Sequence, residues 1–467
     1  MEQQHMTAVR CPGTLHRRAL VRSSLVGLWS LGLADLLQAE SRAAGLPVGT
    51  ASGARPAGAR PTGKSILVLW LWGGPSHMET FDLKPDAPSE YRGEFNPVNT
   101  NVPGIRISEH LPLLARMADK FALLRSVHHD SPGHVNSTHT MMTGYKGEEV
   151  ETAPYRPKYP DFYSVATRMT GDWSRGVPPY LSLPRTRYNG GAHLGGGLDP
   201  LIITQDPNQA NFKVPDVVVE QEFRNRLARR ANLLERFDTT RRMLDHSPEI
   251  GTLDSFQQRA ISILTSGATR QAFDLSQEDP KLRDRYGRHE VGQRLLLGRR
   301  LIEAGSRIVT VDFPCVPGQK AFSWDDHASV WNIFEQMKIR LPVLDQVCSA
   351  VIQDLYERGL QNDVLFLVMG EMSHTPKLSN HQGQPGREHW GRSMSVFLSG
   401  GGMKMGQVVG ETNRLGDEPA ERPLTPNDLL ATWYRYLGVP LETHFADMTG
   451  RPMPILPHGE PIHELLS

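Results

Sequence analysis

Ser65-Ile66-Leu67-Val68-Leu69-Trp70-Leu71-Trp72 is a near-continuous apolar run, cut off at once by Gly73-Gly74-Pro75. A run of that length, ended by glycine and proline, reads as a strand buried on both faces. Three later runs, 307–313, 364–369 and 395–399, have the same character. Helical periodicity lies close by, over 295–304 and over 341–358, the second stopped by Gly359. Buried strands alternating with amphipathic helices predict an α/β domain with a mainly parallel sheet and helices on both faces.

Outward from that core the chain is less regular. Prolines and the Gly190-Gly191 and Gly195-Gly196-Gly197 runs make 154–216 loop-like, whereas 217–242 is helical and charged. The interleaved Glu220, Glu222, Glu235 and Asp238 mark that basic helix as a solvated face. The stretch 154–245 is therefore expected to be a helical and loop insertion, or cover, on a single domain spanning 65–467. Across 467 residues, 51 Lys+Arg balance 51 Asp+Glu. That balance gives no long-range attraction to nucleic acid or to an anionic membrane. Proline (35) and glycine (43) are abundant, which favours long shaped loops around the core.

The N-terminus reads as an address. His16-Arg17-Arg18 precedes the mildly apolar Leu25–Leu33 run, and small residues follow at Ser41-Arg42-Ala43-Ala44. This is the order of a signal peptide, of twin-arginine type, over 1–44. An Ala/Gly/Pro linker fills 45–64. Export to the periplasm or the exterior follows as an expectation. No segment has the roughly 18 uninterrupted apolar residues of a membrane span. The three cysteines, Cys11, Cys315 and Cys348, form no CxxC pair, and the last two are expected to be buried thiols.

In an open parallel sheet, ligands bind beyond the carboxyl ends of the strands. The polar residues near those ends are Gly73 to Asp82, with His77, Glu79 and Asp82; Trp324-Asp325-Asp326-His327; Gly370-Glu371-Met372-Ser373-His374; and Arg387-Glu388-His389-Trp390. Histidines paired with carboxylates at strand ends are a ligand set for Zn, Mn or a related divalent ion. A fifth segment, 128–144, carries four histidines within twelve residues: His128, His129, His134 and His139. Ser131-Pro132 is a plausible helix start there and Gly144 a stop. His134 then falls in the first turn, where backbone amides and the helix dipole favour an anion.

Together the segments GGPSHMETFD, HHDSPGHVNSTHTMMTGY, RDRYGRH, GEMSHTPK and REHW resemble the domain of unknown function 1501 family over essentially the whole mature chain. The resemblance implies an alkaline phosphatase/sulfatase-like fold. In sulfatases and nucleotide pyrophosphatases the nucleophile stands ten residues before the glycine of a closing Thr-Gly. Counting back from Thr143-Gly144 reaches His134, where an oxygen nucleophile is expected. His134 is thus the candidate catalytic residue, as a nitrogen nucleophile or as a ligand. The same resemblance implies metal ligation by Asp326, His327, Glu371 and His389, completed by His77 or Asp82, because Gly73-Gly74 occupy the turn of the usual first-strand aspartate. His374 replaces an arginine of the family pattern, and with His139 it is a candidate substrate contact.

The expected activity is metal-assisted hydrolysis of a sulfate or phosphate ester, of a small molecule or glycan, with Zn, Mn or Ca. The alternative is a catalytically degenerate member that binds an anionic glycan or a partner protein without turnover.

Overall fold

The structure, a computed structural model, describes residues 63–131, 133–147, 157–171, 176–184, 186, 188–212, 267–313, 315–320 and 323–466. The leader, the linker up to 62 and the basic stretch within 217–242 lie outside them.

The opening apolar run forms the central strand, β1 (Ser65–Trp70). The other main-sheet strands are β2 (Ala122–Val127), β3 (Tyr180–Leu183), β4 (Leu201–Ile202), β5 (Ile308–Asp312), β6 (Val364–Met369), β7 (Met394–Gly400) and β8 (Gln407–Val409). Their order is β8-β2-β7-β6-β1-β5-β3-β4. β1 pairs in parallel with β5 and β6, so that Leu67 lies beside both Val309 and Phe366. β7 alone runs against its neighbours, β6 and β2.

Alternation along β1 explains why the run is apolar throughout. Ile66, Val68 and Trp70 face a core shared with α1 (His134–Thr143), α2 (Phe162–Thr170) and α5 (Pro426–Leu437). Leu67 faces the other way, toward α3 (Glu290–Ala304), which packs beside α4 (Ile333–Glu357). Gly298 sets the distance on that face: a Cβ there would lie 2.8 Å from Leu67 Cδ1 and 3.2 Å from Val309 Cγ1. Helices therefore cover both faces of the sheet. Among the described residues no helix is long and apolar enough to cross a membrane.

Several boundaries differ from the sequence-based expectation. α4 starts at Ile333, because the Asn332 side chain caps it by accepting from the Phe334 and Glu335 amides. α1 starts at His134 instead of near Ser131-Pro132, behind an extended Gly133, and stops at Gly144 in the left-handed conformation (φ 76°). The described part of the expected cover, 157–212, supplies β3 and β4, which extend the sheet in parallel beyond β5. That part is a sheet edge, and its strands carry no clear sequence signal because they are short and set among glycines. Cys348 is buried as expected, but Cys315, in the loop after β5, is exposed.

Strand direction decides what reaches the functional edge. The carboxyl ends of β1, β2, β5 and β6 share one edge, and the reversed β7 begins there. Residues just before β7 consequently join residues that follow the other four strands.

Candidate metal centre

Asp325 is the hub of that edge. Its Oδ1 accepts from Nε2 of His327 (2.9 Å), His389 (3.2 Å) and His374 (3.3 Å), and its Oδ2 accepts from His134 Nε2 at 3.1 Å. Four imidazoles from four separate segments thus aim the same ring nitrogen at one carboxylate. Two of them are braced from behind. His134 Nδ1 donates to Glu371 Oε1 at 2.8 Å, and His327 Nδ1 to Glu388 Oε2 at 2.5 Å. The rings are close-set, with centroids 4.3 Å apart for His134–His389 and 4.7 Å for His327–His389. Trp72 closes one side, its ring 5.3 Å from that of His134.

Electrostatics follow from this crowding. Burial opposes charge on His134, but the hydrogen bonds to Asp325 and Glu371 outweigh it and push the ring up to about 10. His327 is pushed up to about 9, first by its bond to Asp325. Burial of His374 outweighs the same partner and takes it down to about 4. Burial works to raise the Asp325 carboxyl, yet its four imidazole partners hold it far below the usual carboxylate range. Asp325 is thereby favoured as the anion, and the same bonds favour the protonated forms of His134 and His327.

Two glycines let this happen. Gly73 sits at φ 103°, and its amide donates to Glu371 Oε1 at 2.8 Å. A Cβ there would lie 2.6 Å from the Asp325 amide nitrogen and 2.7 Å from that of Trp324. The space that a side chain at this turn would fill is taken by the loop carrying Asp325. Gly73→Ala is expected to cost about 1–3 kcal/mol for the forced backbone conformation alone and to displace Asp325. Thermal unfolding and metal content read both effects; an unchanged midpoint would show that the loop can move aside. Gly74 (φ 82°) is tight in the same way, 2.7 Å from the Met372 carbonyl oxygen for an added Cβ.

Residues 63–466 match the family described as Protein of unknown function (DUF1501). The chain belongs to the DUF1501 family. Among solved structures, this DUF1501 chain is similar to the PsFucS1 sulfatase from Pseudoalteromonas sp., at 13% identity and TM-score 0.37, covering 81% of this chain and 68% of that one. It is also similar to a phosphonate monoester hydrolase from Silicibacter pomeroyi, at 12% identity and TM-score 0.38, covering 86% and 76%. No curated protein matches the sequence.

Of the residues singled out in this DUF1501 sequence, the fold gathers His134, His327, Glu371, His374 and His389. It does not gather Asp326, His77, Asp82 or His139. Asp326 is fully buried against Arg340 of α4, whose Nη1 also donates to the Ser323 carbonyl oxygen at 2.6 Å. His77 is buried between Ser373 Oγ (2.6 Å) and the Gly416 carbonyl oxygen (2.8 Å). Asp82 pairs with Lys84 at 3.1 Å and accepts from the Thr412 hydroxyl. His139 lies on the far part of α1, with Nδ1 donating to the Tyr145 carbonyl oxygen at 3.0 Å. These four side chains are engaged by partners outside the Asp325 cluster.

Asp325, and not its neighbour Asp326, is the acid that meets the four histidines. Side-chain alternation in Trp324-Asp325-Asp326-His327 is the signal that distinguishes the two. Trp324 and Asp326 are buried toward α4, so Asp325 and His327 share the opposite side.

A divalent cation fits these donors. His134, Asp325 and His389 each offer a ligand atom within 4.8 Å of the others. Glu371 Oε2 is buried without a hydrogen-bond partner, which a nearby cation would relieve. Imidazoles that present Nε2 inward while Nδ1–H is held by a carboxylate are the usual arrangement of histidine ligands.

Proposed function

We propose that this protein is an exported hydrolase that uses a divalent metal ion to cleave a sulfate or phosphate ester. The observation that supports this reading most is the convergence of four Nε2 atoms on Asp325. Asp325, His389 and His134 would hold the ion, with His327 and His374 completing the set. An imidazole-rich set suits Zn, or another borderline transition ion, better than Ca, which takes oxygen ligands. When bound, the ion supplies Lewis acidity to the ester oxygen and lowers the pKa of an attacking water. The protein's part is to orient. Glu371, fixed by the Gly73 amide, sets the His134 ring; Glu388 sets His327; Trp72 limits water on one side. Export rests on the twin-arginine-type leader in the sequence.

Of the two roles open to His134, nucleophile or ligand, the ligand role fits. With Nδ1–H held by Glu371 Oε1 at 2.8 Å, the neutral ring would present its Nε2 lone pair to the Asp325 cluster, where His389 and Asp325 offer the other ligand atoms. The hydroxyls near it are also occupied. Ser137 donates to the Ser131 carbonyl oxygen (3.2 Å), Thr138 to that of His134 (2.6 Å), and Ser131 pairs with Thr140 (3.0 Å). With each of these hydroxyls bonded within α1 and its approach, none of them is held by a general base, and direct attack by water is the proposed route. This same observation favours the second reading, a protein that binds a sulfated or phosphorylated glycan or a partner without turnover.

Chromogenic sulfate, phosphate and phosphonate esters distinguish the two. Hydrolysis by Zn-loaded full-length protein, lost on chelation and in His389→Ala, is the expected result. Metal-loaded protein that turns over none of the three classes would leave the binding reading.

A further inference from the structure

Beside the histidine cluster lies a cavity of about 630 Å³, within the range of small-molecule sites. Its floor includes the first turn of α5, where Asn427 is 4% exposed. Asn427 Nδ2 donates to His458 Nε2 at 3.1 Å, while its Oδ1 has no hydrogen-bond partner. Gly144, also in the lining, leaves that oxygen its place, since a Cβ there would collide with it. A buried amide oxygen left without a donor is costly, and a donor from a ligand removes the cost.

Charge in the lining is balanced. Lys146 pairs with Asp130 at 3.2 Å and Arg392 with Glu418 at 3.1 Å. An anion would find each cation already matched. The lining otherwise combines groups that can donate and accept, on Thr140, Thr425, Asn427 and His458, with the apolar rings of Pro419, Pro423 and Pro426. Paired donors and acceptors next to a C–H surface suit a neutral ring bearing several hydroxyls.

The cavity is coupled to the cluster through short runs of chain. His129, in its lining, accepts the Ser131 amide at Nδ1 and so donates from Nε2 to the Glu371 carbonyl oxygen at 2.8 Å. Arg392 follows His389 by three residues, a reach of at most about 11 Å.

We propose that this cavity binds a neutral sugar unit, which makes the substrate of the adjoining site a glycan ester. The second clause rests on the hydrolase reading above; sugar binding itself does not. The test is saturation-transfer NMR and titration of the full-length, Zn-loaded protein with methyl glycosides of glucose, galactose, fucose and N-acetylglucosamine. At least one glycoside is expected to bind wild type and His389→Ala alike. Its Kd should rise by about 10-fold in Asn427→Leu, the equivalent of one well-made hydrogen bond to a buried group. Arg392→Ala, on an exposed side chain, should weaken it several-fold and carries the test if Asn427→Leu does not fold. No binding to wild type by any of the four, equal binding in both cavity variants, or loss confined to His389→Ala would overturn the proposal. Sugar binding by a protein that hydrolyses no ester would support the cavity site and defeat only the hydrolase reading.

Discussion

Asp325→Asn is expected to abolish ester hydrolysis while leaving the protein folded. The asparagine has nearly the same shape and keeps one oxygen acceptor, but it removes the negative charge around which His134, His327, His374 and His389 are arranged. Four imidazoles without that anion repel a cation when protonated and hold it less well when neutral. Metal affinity should fall by more than the about 10–100-fold typical of losing a group that merely orients a ligand, and activity should fall with it. His134 and His327, held above their ordinary values by Asp325, should titrate closer to the unperturbed imidazole. Circular dichroism, activity and histidine NMR read the three consequences. Wild-type turnover in Asp325→Asn would place the chemistry elsewhere.

The adjacent acid should behave in the opposite way. Asp326→Ala leaves Arg340 fully buried with its charge unmatched, stacked 4.6 Å from the Trp324 ring. Removing one partner of a buried ion pair costs about 3–5 kcal/mol, most of it the penalty of the stranded charge. Arg340→Met in the same chain should recover much of that loss, since the pair is then replaced by apolar contacts. Denaturant unfolding measures both. What remains folded of Asp326→Ala should still bind metal, which separates a structural acid from a ligand one residue away. A single variant losing metal without losing stability would reverse the assignment of the two aspartates.

This contrast shows where the sequence is legible. Fully buried strands announce themselves by composition, so β1, β5, β6 and β7 stand out, and the clusters beyond them can be located. β2 is hidden because Arg125 and Ser126 interrupt its apolar residues, although it delivers His128 and the start of α1 to the same edge. β3 and β4 span too few residues to show a pattern. At the site, histidines are the better signal, since four of the six singled out, His134, His327, His374 and His389, converge, whereas His77 and His139 bond elsewhere. Acids are the poorer one, because an aspartate serves equally as a ligand or as a partner for a buried arginine. Asp326 and Asp82 find cations inside the wall, and His77 finds a hydroxyl and a carbonyl; only the packing of α4 and of the 411–417 segment determines this. Gly73, in sequence, looks like the absence of a ligand. Its lack of a side chain is what admits Asp325.

Elemental analysis of the purified full-length protein, beside His389→Ala and Asp325→Asn, tests the central claim most directly. About one transition-metal ion per chain in wild type, Zn by preference, with little or none in either folded variant, is the predicted result. Wild-type protein that stays metal-free after Zn loading, or variants that retain metal at the wild-type level, would contradict it.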